Sequence, residues 1–408
     1  MEPLRTEAQT TNQRASDWLK NFGPAWIVMI ADVDVASIIT GLQSGASWGY
    51  RMIFILLILV FPLFIVQDAA GRLGIASGGG LGEQIRKNFG KQAAITAAIP
   101  MGLSDFLEYV AQYAGIAIGL SLIGFPVILG LIIVFMIHTL IVAGRQYRQA
   151  EKLLIPVSFL LLIAIVSSTF VFHVDMKSFV FTGLSPVQPY GSPSFDYLLA
   201  ASVGAVIMPW MLYFHSGADS RRKKQVKDLK NERLETLIGA IVSEVLMVIL
   251  VIVGLNVFNG SSLIDVSDLP KVLPAFGGFA TPIMGMGFLF AGFLALVVVS
   301  LGSAWGVLEA IGRAAGPNSR TSFLTVYACE SLPALILVAA VAGYIRLMLN
   351  MMFIFPIVLI PSLYFLGKLV TRQDVMNGYN SKKYEKVAFW AAALVIVAGG
   401  ILGLTSFL

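Results

Sequence analysis

The chain of 408 residues is 57% hydrophobic and only 12% charged, whereas soluble domains carry about a quarter charged residues. That balance argues against an ordinary water-soluble enzyme. The single cysteine, Cys329, excludes an intramolecular disulfide framework and any Cys-rich metal cluster. The net charge of +5 would fit a nucleic-acid binder only if the basic residues shared one face, and their distribution along the chain says otherwise.

Residues 1–23 are polar and contain no apolar core of a cleaved signal. Eleven apolar segments follow, at 24–46, 50–71, 95–119, 124–143, 153–172, 196–216, 236–256, 281–311, 322–343, 347–367 and 387–408. Each is long enough to cross about 30 Å of hydrocarbon as a helix. The sequence therefore predicts an all-α polytopic protein with eleven transmembrane helices, embedded in a lipid bilayer. With the N-terminus in the cytoplasm, 24 of the 28 Lys and Arg residues fall inside, and only Arg51, Lys177, Lys271 and Arg346 fall outside. This satisfies the positive-inside rule and puts the C-terminus outside. The basic run 221–233 is thereby read as a topological signal, not as a nucleic-acid patch.

The spans hold acids but essentially no bases: Asp32, Asp34, Asp68, Asp105, Glu108, Glu244, Glu309 and Glu330. A buried carboxylate is costly unless paired, so an acid-only interior reads as a route for cations or protons. For Asp68 and Glu244 the plainer reading, a protonated or peripheral acid, is preferred. In span 1, Asp34 has Ser37 three residues on, a hydroxyl able to join it around an ion. In span 3, Asp105, Glu108 and Gln112 share one helical face, as a proton relay or a structural polar stripe. In span 6, Pro209 removes the N–H that would bond the Ala205 carbonyl. A freed oxygen at that depth needs protein, a cavity or an ion. Met208 beside it is a soft thioether, suited to a transition metal or simply to packing. His215 is a candidate proton acceptor. Polar interruptions in spans 1 and 6 match two repeats of five spans each, 24–172 and 196–367, with 387–408 as a last span.

Several stretches, in order, resemble the NRAMP divalent-metal transporter family. They are ITGLQSGASWGYR after Asp34, QDAAGRLGIASGGGLGE (67–83), SDFLEYVAQ (104–112), VIMPWMLYFHS (206–216), Glu309, and FPIVLIPSL (355–363). The resemblance implies a LeuT-like fold with a 5+5 inverted repeat, alternating access, and divalent-metal import, often with protons. The chain also departs from the family. The first-helix motif Asp-Pro-Gly-Asn reads Asp34-Val35-Ala36-Ser37 here. Trp210 and Met211 replace the His and Asn after Met208-Pro209, Tyr327 falls where the family has an arginine, and Ile354 where it has a glutamine. The branch is a divergent one. NRAMP-related magnesium transporters form such a branch, but they lack the soft methionine kept here.

The expectation is a monomeric secondary transporter in the cell membrane, not an enzyme, without a resident cofactor. It would move Mn²⁺- or Fe²⁺-like ions by alternating access, with Mg²⁺ or broad, proton-independent divalent transport as the alternative. The ion would lie between Asp34, Ser37, the Ala205 carbonyl and Met208. Asp32, Trp210 and Met211 would surround it, and Asp105, Glu108 and His215 would carry protons. A channel could also line its pore with acids, but paired broken helices suit alternating access better. An acid-pair hydrolase lacks any other catalytic apparatus, and an amino-acid substrate would be repelled by Asp34.

Overall fold

A computed structural model describes residues 23–144, 160–167, 169–313 and 319–405. The tail, Arg145, Arg148, Lys152, much of the fifth predicted span and the last three residues lie outside the described residues. Among the described residues there is no strand. The principal helices are α1 (Pro24–Asp32), α2 (Val35–Trp48), α3 (Ile53–Ser77), α4 (Leu81–Leu122), α5 (Val127–Gly144), α6 (Pro193–Val206), α7 (Pro209–Arg221) and α8 (Leu229–Phe258). They continue as α9 (Ala280–Ile311), α10 (Ser319–Ala340), α11 (Tyr344–Val358), α12 (Ile360–Leu369) and α13 (Lys383–Thr405).

Among the described residues, eight helical stretches are long and apolar enough to cross a membrane by length and composition; one of them, Val35–Ser77, joins the second half of the predicted span 24–46 to the whole of 50–71. The predicted span 95–119 lies within α4, a 42-residue element whose smooth course fails only at Gly90. Gly90 has φ +88 and ψ 175, a conformation open essentially to glycine alone. It separates a short amphipathic piece from the long inner helix.

The bundle has an apolar outside and a polar middle, the reverse of a soluble fold. On α5, Ile128, Leu129, Ile132, Met136 and Leu140 are exposed, which is stable only against lipid. The α6–α7 pair is buried almost throughout, and α4 and α9 pack along each other beside it. Hydrocarbon offers helices no hydrophobic drive to associate, so small residues set the close contacts. A Cβ on Gly45 of α2 would lie 1.9 Å from the Val251 carbonyl oxygen of α8. A Cβ on Gly204 of α6 would lie 1.8 Å from that of Met352 on α11. These approaches lock α2 against α8 and α6 against α11.

Gly204→Ala should therefore destabilise the bundle by about 1–3 kcal/mol, read as a lower melting temperature of the detergent-solubilised protein. Gly278→Ala, whose new Cβ meets nothing within 4 Å, should leave the melting temperature unchanged.

Candidate functional site

The first predicted span is broken, although the Pro-Gly pair is absent. Helix α1 stops at Asp32, Val33 and Asp34 leave the helix, and α2 begins at Val35. Asp34 itself makes the break. Its backbone is extended (φ −87, ψ −173) and its carboxylate caps α2 by accepting from Ser37 N at 2.8 Å. Aspartate is among the best N-cap residues because its oxygen satisfies an orphan N–H.

The second break lies at Ile207 and Met208, both extended, with Pro209 opening α7. The two breaks touch. The Ser37 hydroxyl lies 2.7 Å from the Asp32 carbonyl oxygen and 3.0 Å from the Ala205 carbonyl oxygen. One hydroxyl proton thus serves two oxygens, one from each interrupted helix. Beside them, Trp210 Nε1 donates to Met208 Sδ at 3.3 Å, and Met208 N donates to Met211 Sδ at 3.3 Å. Asp34, Ser37, Ala205 and Met208 are each no more than 2% exposed. The centre is sealed.

Helix α4 closes the third side. Gln112 Nε2 donates to Glu108 Oε1 at 2.7 Å and to Asp34 Oδ2. One Gln112 amide thus bridges the Asp34 and Glu108 carboxyls, and two buried acids held this close cannot easily both be charged. Glu108 Oε2 and Gln112 Oε1 are buried acceptors with no hydrogen-bond partner. Farther along α4, Asp105 accepts from Ser104 at 3.4 Å and lies in the field of Glu330. Glu330 in turn accepts from Ser303 Oγ at 2.6 Å.

Asp32 turns the other way, toward α8, where Ser243 Oγ donates to it at 3.2 Å and Glu244 lies in its field. One Asp32 oxygen and both Glu244 oxygens are buried without hydrogen-bond partners. Asp68 and Glu309 have basic partners: Arg233 at 3.5 Å and Arg221 at 2.8 Å, respectively.

The three residues named as a relay do not form one cluster. Glu108 joins Asp34 and Asp105 continues toward Glu330, but His215 belongs to a separate group at the end of the bundle. Its Nδ1 faces Gln67 Oε1 at 3.0 Å, and its Nε2 faces Glu232 Oε1 at 2.8 Å. Asp219 and Lys224 complete that group. Gln67, Asp219, Lys224 and Glu232 escaped the sequence reading. The signal for Asp219 was its i+4 spacing from His215. Glu232 and Lys224 were absorbed into the basic run 221–233. Tyr327, at the family's arginine position, is packed in aromatics, its ring 4.9 Å from His138, and its hydroxyl meets Thr139 at 3.0 Å.

At the opposite end, a cavity of about 560 Å³ is lined by Gln43, Trp48, Tyr197, Ser261, Arg346 and Asn350, among others. Ser44 and Ser202 meet at 3.3 Å between α2 and α6, so the pair of broken helices is pinned between this cavity and the sealed centre.

Residues 25–406 match the family model "Natural resistance-associated macrophage protein-like". The chain belongs to the NRAMP family. It is 28% identical over 395 residues to the divalent metal cation transporter MntH of Bacillus subtilis, covering 92% of this chain and 89% of that one. It is 24% identical over 396 residues to the MntH of Deinococcus radiodurans, covering 92% and 87%. Among solved structures it resembles a manganese transporter of Eremococcus coleocola, with a TM-score of 0.78 at 19% identity, covering 94% of this chain and 85% of that one. It also resembles MhsT in complex with L-phenylalanine, with a TM-score of 0.65 at 13% identity, covering 95% and 98%. These likenesses carry the fold: a LeuT-like membrane bundle, as the sequence predicts for an NRAMP chain.

Ser37→Ala should free both carbonyls at the junction of the two breaks, costing about 1–3 kcal/mol for the buried groups left unpaired. Backbone amides at 207, 208 and 210–212 should then exchange faster by hydrogen–deuterium exchange, while those of α9 stay protected.

Proposed function

We propose that this NRAMP protein is a secondary transporter that carries Mn²⁺-like divalent cations across the cytoplasmic membrane by alternating access. One observation carries the reading. A carboxylate, a hydroxyl, a backbone carbonyl and the residue bearing a thioether belong to two helix breaks that contact each other in a sealed centre. Helix ends at that depth supply partial charges and free oxygens, the usual means by which transporters of this fold hold ions. The names of the relatives, divalent metal cation transporter and manganese transporter, agree with it.

Asp34 is the anionic ligand, with Ser37, the Ala205 carbonyl and Met208 around the ion. To bind it, Ser37 gives up one carbonyl and Met208 gives up the Trp210 indole. Asp32 adds field from the α8 side. The ion also displaces the proton that Asp34 shares with Glu108. Glu108, Asp105 and Glu330 then form a line of carboxyls along which that proton leaves, so uptake is proton-coupled through α4 rather than through His215. The basic end of the bundle faces the cytoplasm, the cavity at Arg346 faces outward, and the protein works as a monomer built from the repeats 24–172 and 196–367.

A second reading has its own observation. The Met208 sulfur is already engaged by Trp210. If it stays engaged, only oxygens remain, and a hard, partly hydrated ion such as Mg²⁺ is favoured.

Three measurements in proteoliposomes test these readings. Asp34→Asn should abolish Mn²⁺ uptake; undiminished uptake sinks the site. Met208→Ala should raise the Kd for Mn²⁺ and Cd²⁺ at least tenfold while barely changing that for Mg²⁺; an equal effect on all three favours the oxygen-only reading. Displacement of one proton should make the Mn²⁺ Kd rise about tenfold for each unit of pH decrease over the range in which the pair holds it. Glu108→Gln, whose amide can donate to Asp34 in place of that proton, should flatten the slope and abolish acidification inside the vesicle. An unchanged slope in that variant rules out the shared proton.

A further inference from the structure

His215, Asp219 and Glu232 each present one ligand atom within 4.8 Å of the others, and all three are buried. They lie at the end of the bundle, on α7 and the first turn of α8, in a cluster separate from the Asp34 centre. His215 Nε2 stands 2.8 Å from Glu232 Oε1 and 3.4 Å from Asp219 Oδ2. Ligands bound at about 2.1 Å to one ion at right angles sit about 3.0 Å apart. The two separations from His215 therefore lie near those of a coordination shell before any ion arrives.

Three further features fit a metal. Asp219 is fully buried, yet neither of its carboxylate oxygens has a hydrogen-bond partner. Gln67 Oε1 faces His215 Nδ1 at 3.0 Å; accepting the Nδ1–H fixes the tautomer that leaves the Nε2 lone pair for a ligand, a common supporting contact of metal-bound histidine. Helix α3 also leaves room. A Cβ on Gly71 would stand 2.6 Å from His215 Nε2 and 3.2 Å from Asp219 Oδ2, so only glycine keeps that face of the cluster open.

The group already holds a cation. Lys224 Nζ contacts Glu232 Oε2, Asp219 Oδ1 at 3.4 Å and Glu235 Oε2 at 3.7 Å. Counting the three carboxylates as ionised and His215 as neutral, the group carries −3; one ammonium brings it to −2, and a divalent ion in its place brings it to −1, so the exchange lowers the uncompensated charge. Lys224 is partly exposed and can swing into water when an ion replaces it.

We propose that His215, Asp219 and Glu232 form a second binding site for a divalent transition metal, with Lys224 as the cation the ion displaces. One imidazole and carboxylate oxygens suit Mn²⁺, Fe²⁺, Co²⁺ or Zn²⁺ better than Ca²⁺.

The test uses Mn²⁺ alone and full-length protein purified in detergent, with Asp34→Asn as the background, so that the Asp34 centre is silent. This variant should bind one Mn²⁺ per chain in equilibrium dialysis. Its electron-spin-echo signal should show imidazole-nitrogen coupling. On that background, His215→Gln should remove the nitrogen coupling, and Asp219→Asn or Gly71→Ala should weaken binding at least tenfold. Lys224→Gln should tighten it at least tenfold. Monodispersity on gel filtration controls for folding, and the two weakening variants act from different helices. No Mn²⁺ bound by the Asp34→Asn protein, or binding indifferent to both His215→Gln and Asp219→Asn, overturns the site. If wild type also binds a single ion, and Asp219→Asn alone removes it, this site stands and the reading of the Asp34 centre fails.

Discussion

A helix that stops in the middle of a bilayer leaves N–H and carbonyl groups where water is absent, and each must find a partner inside the protein. Here two helices stop, and their loose ends satisfy each other. Ser37 is the hinge of that arrangement: its amide is capped by Asp34 and its hydroxyl lies between the carbonyls of Asp32 and Ala205. An ion that enters the centre competes with a hydrogen-bond network the helix breaks themselves require. In the proposed site, binding and the geometry of the breaks are therefore coupled, which a rigid pore lined with the same groups would not provide.

The acids divide according to what surrounds them. Asp68 and Glu309 reach guanidinium groups and need no ion. Asp34 and Glu108 have only neutral donors, the Ser37 amide for Asp34 and the Gln112 side chain for both, so a proton is the smallest cation that can make the pair tolerable. On the α8 side, Asp32 has a single serine hydroxyl, Ser243, and Glu244 has no hydrogen-bond partner at all among the described residues. The ordering follows from burial: the deeper the carboxylate lies from basic residues, which the positive-inside pattern confines to one end, the more it depends on a mobile cation.

Much of this was legible in the sequence, for physical reasons. Apolar runs near 20 residues can hardly be anything but spans, and a proline in mid-span announces freed backbone, so the break at Met208 and the oxygen of Ala205 could be named beforehand. The first break could not be derived from its residues. Val35 and Ala36 are ordinary helix residues, and only the three-dimensional cap by Asp34 shows that the aspartate can interrupt the helix by itself. The grouping of His215 with Asp105 and Glu108 failed for a related reason. Helical spacing orders residues on one element, but His215 sits on α7 and its partners come from α3 and α8, whose rotation about their axes no spacing rule supplies. Glu232 was hidden for the opposite reason: in a run dominated by lysine and arginine, a single glutamate reads as solvated.

The substitutions relative to the family pattern form a consistent physical set. Trp210 replaces a histidine and Tyr327 an arginine, both exchanging a titratable or charged group for an aromatic with one polar tip. In each case that tip has found a local acceptor or donor: the Met208 sulfur for the indole, and Thr139 for the phenol. The larger aromatic bodies fill the volume with apolar contact, His138 and Phe135 against Tyr327, Phe214 against Trp210. A centre rebuilt this way holds fewer fixed positive charges near its acids. In the transport cycle proposed above, it relies more on protons along Glu108, Asp105 and Glu330, and on the bound ion itself, to keep those carboxyls in the bilayer. In the proposed site, the indole N–H on Met208 adds a selective element, since an ion must outcompete that hydrogen bond to reach the sulfur. A soft ion gains enough from the thioether to do so, and a hard one does not.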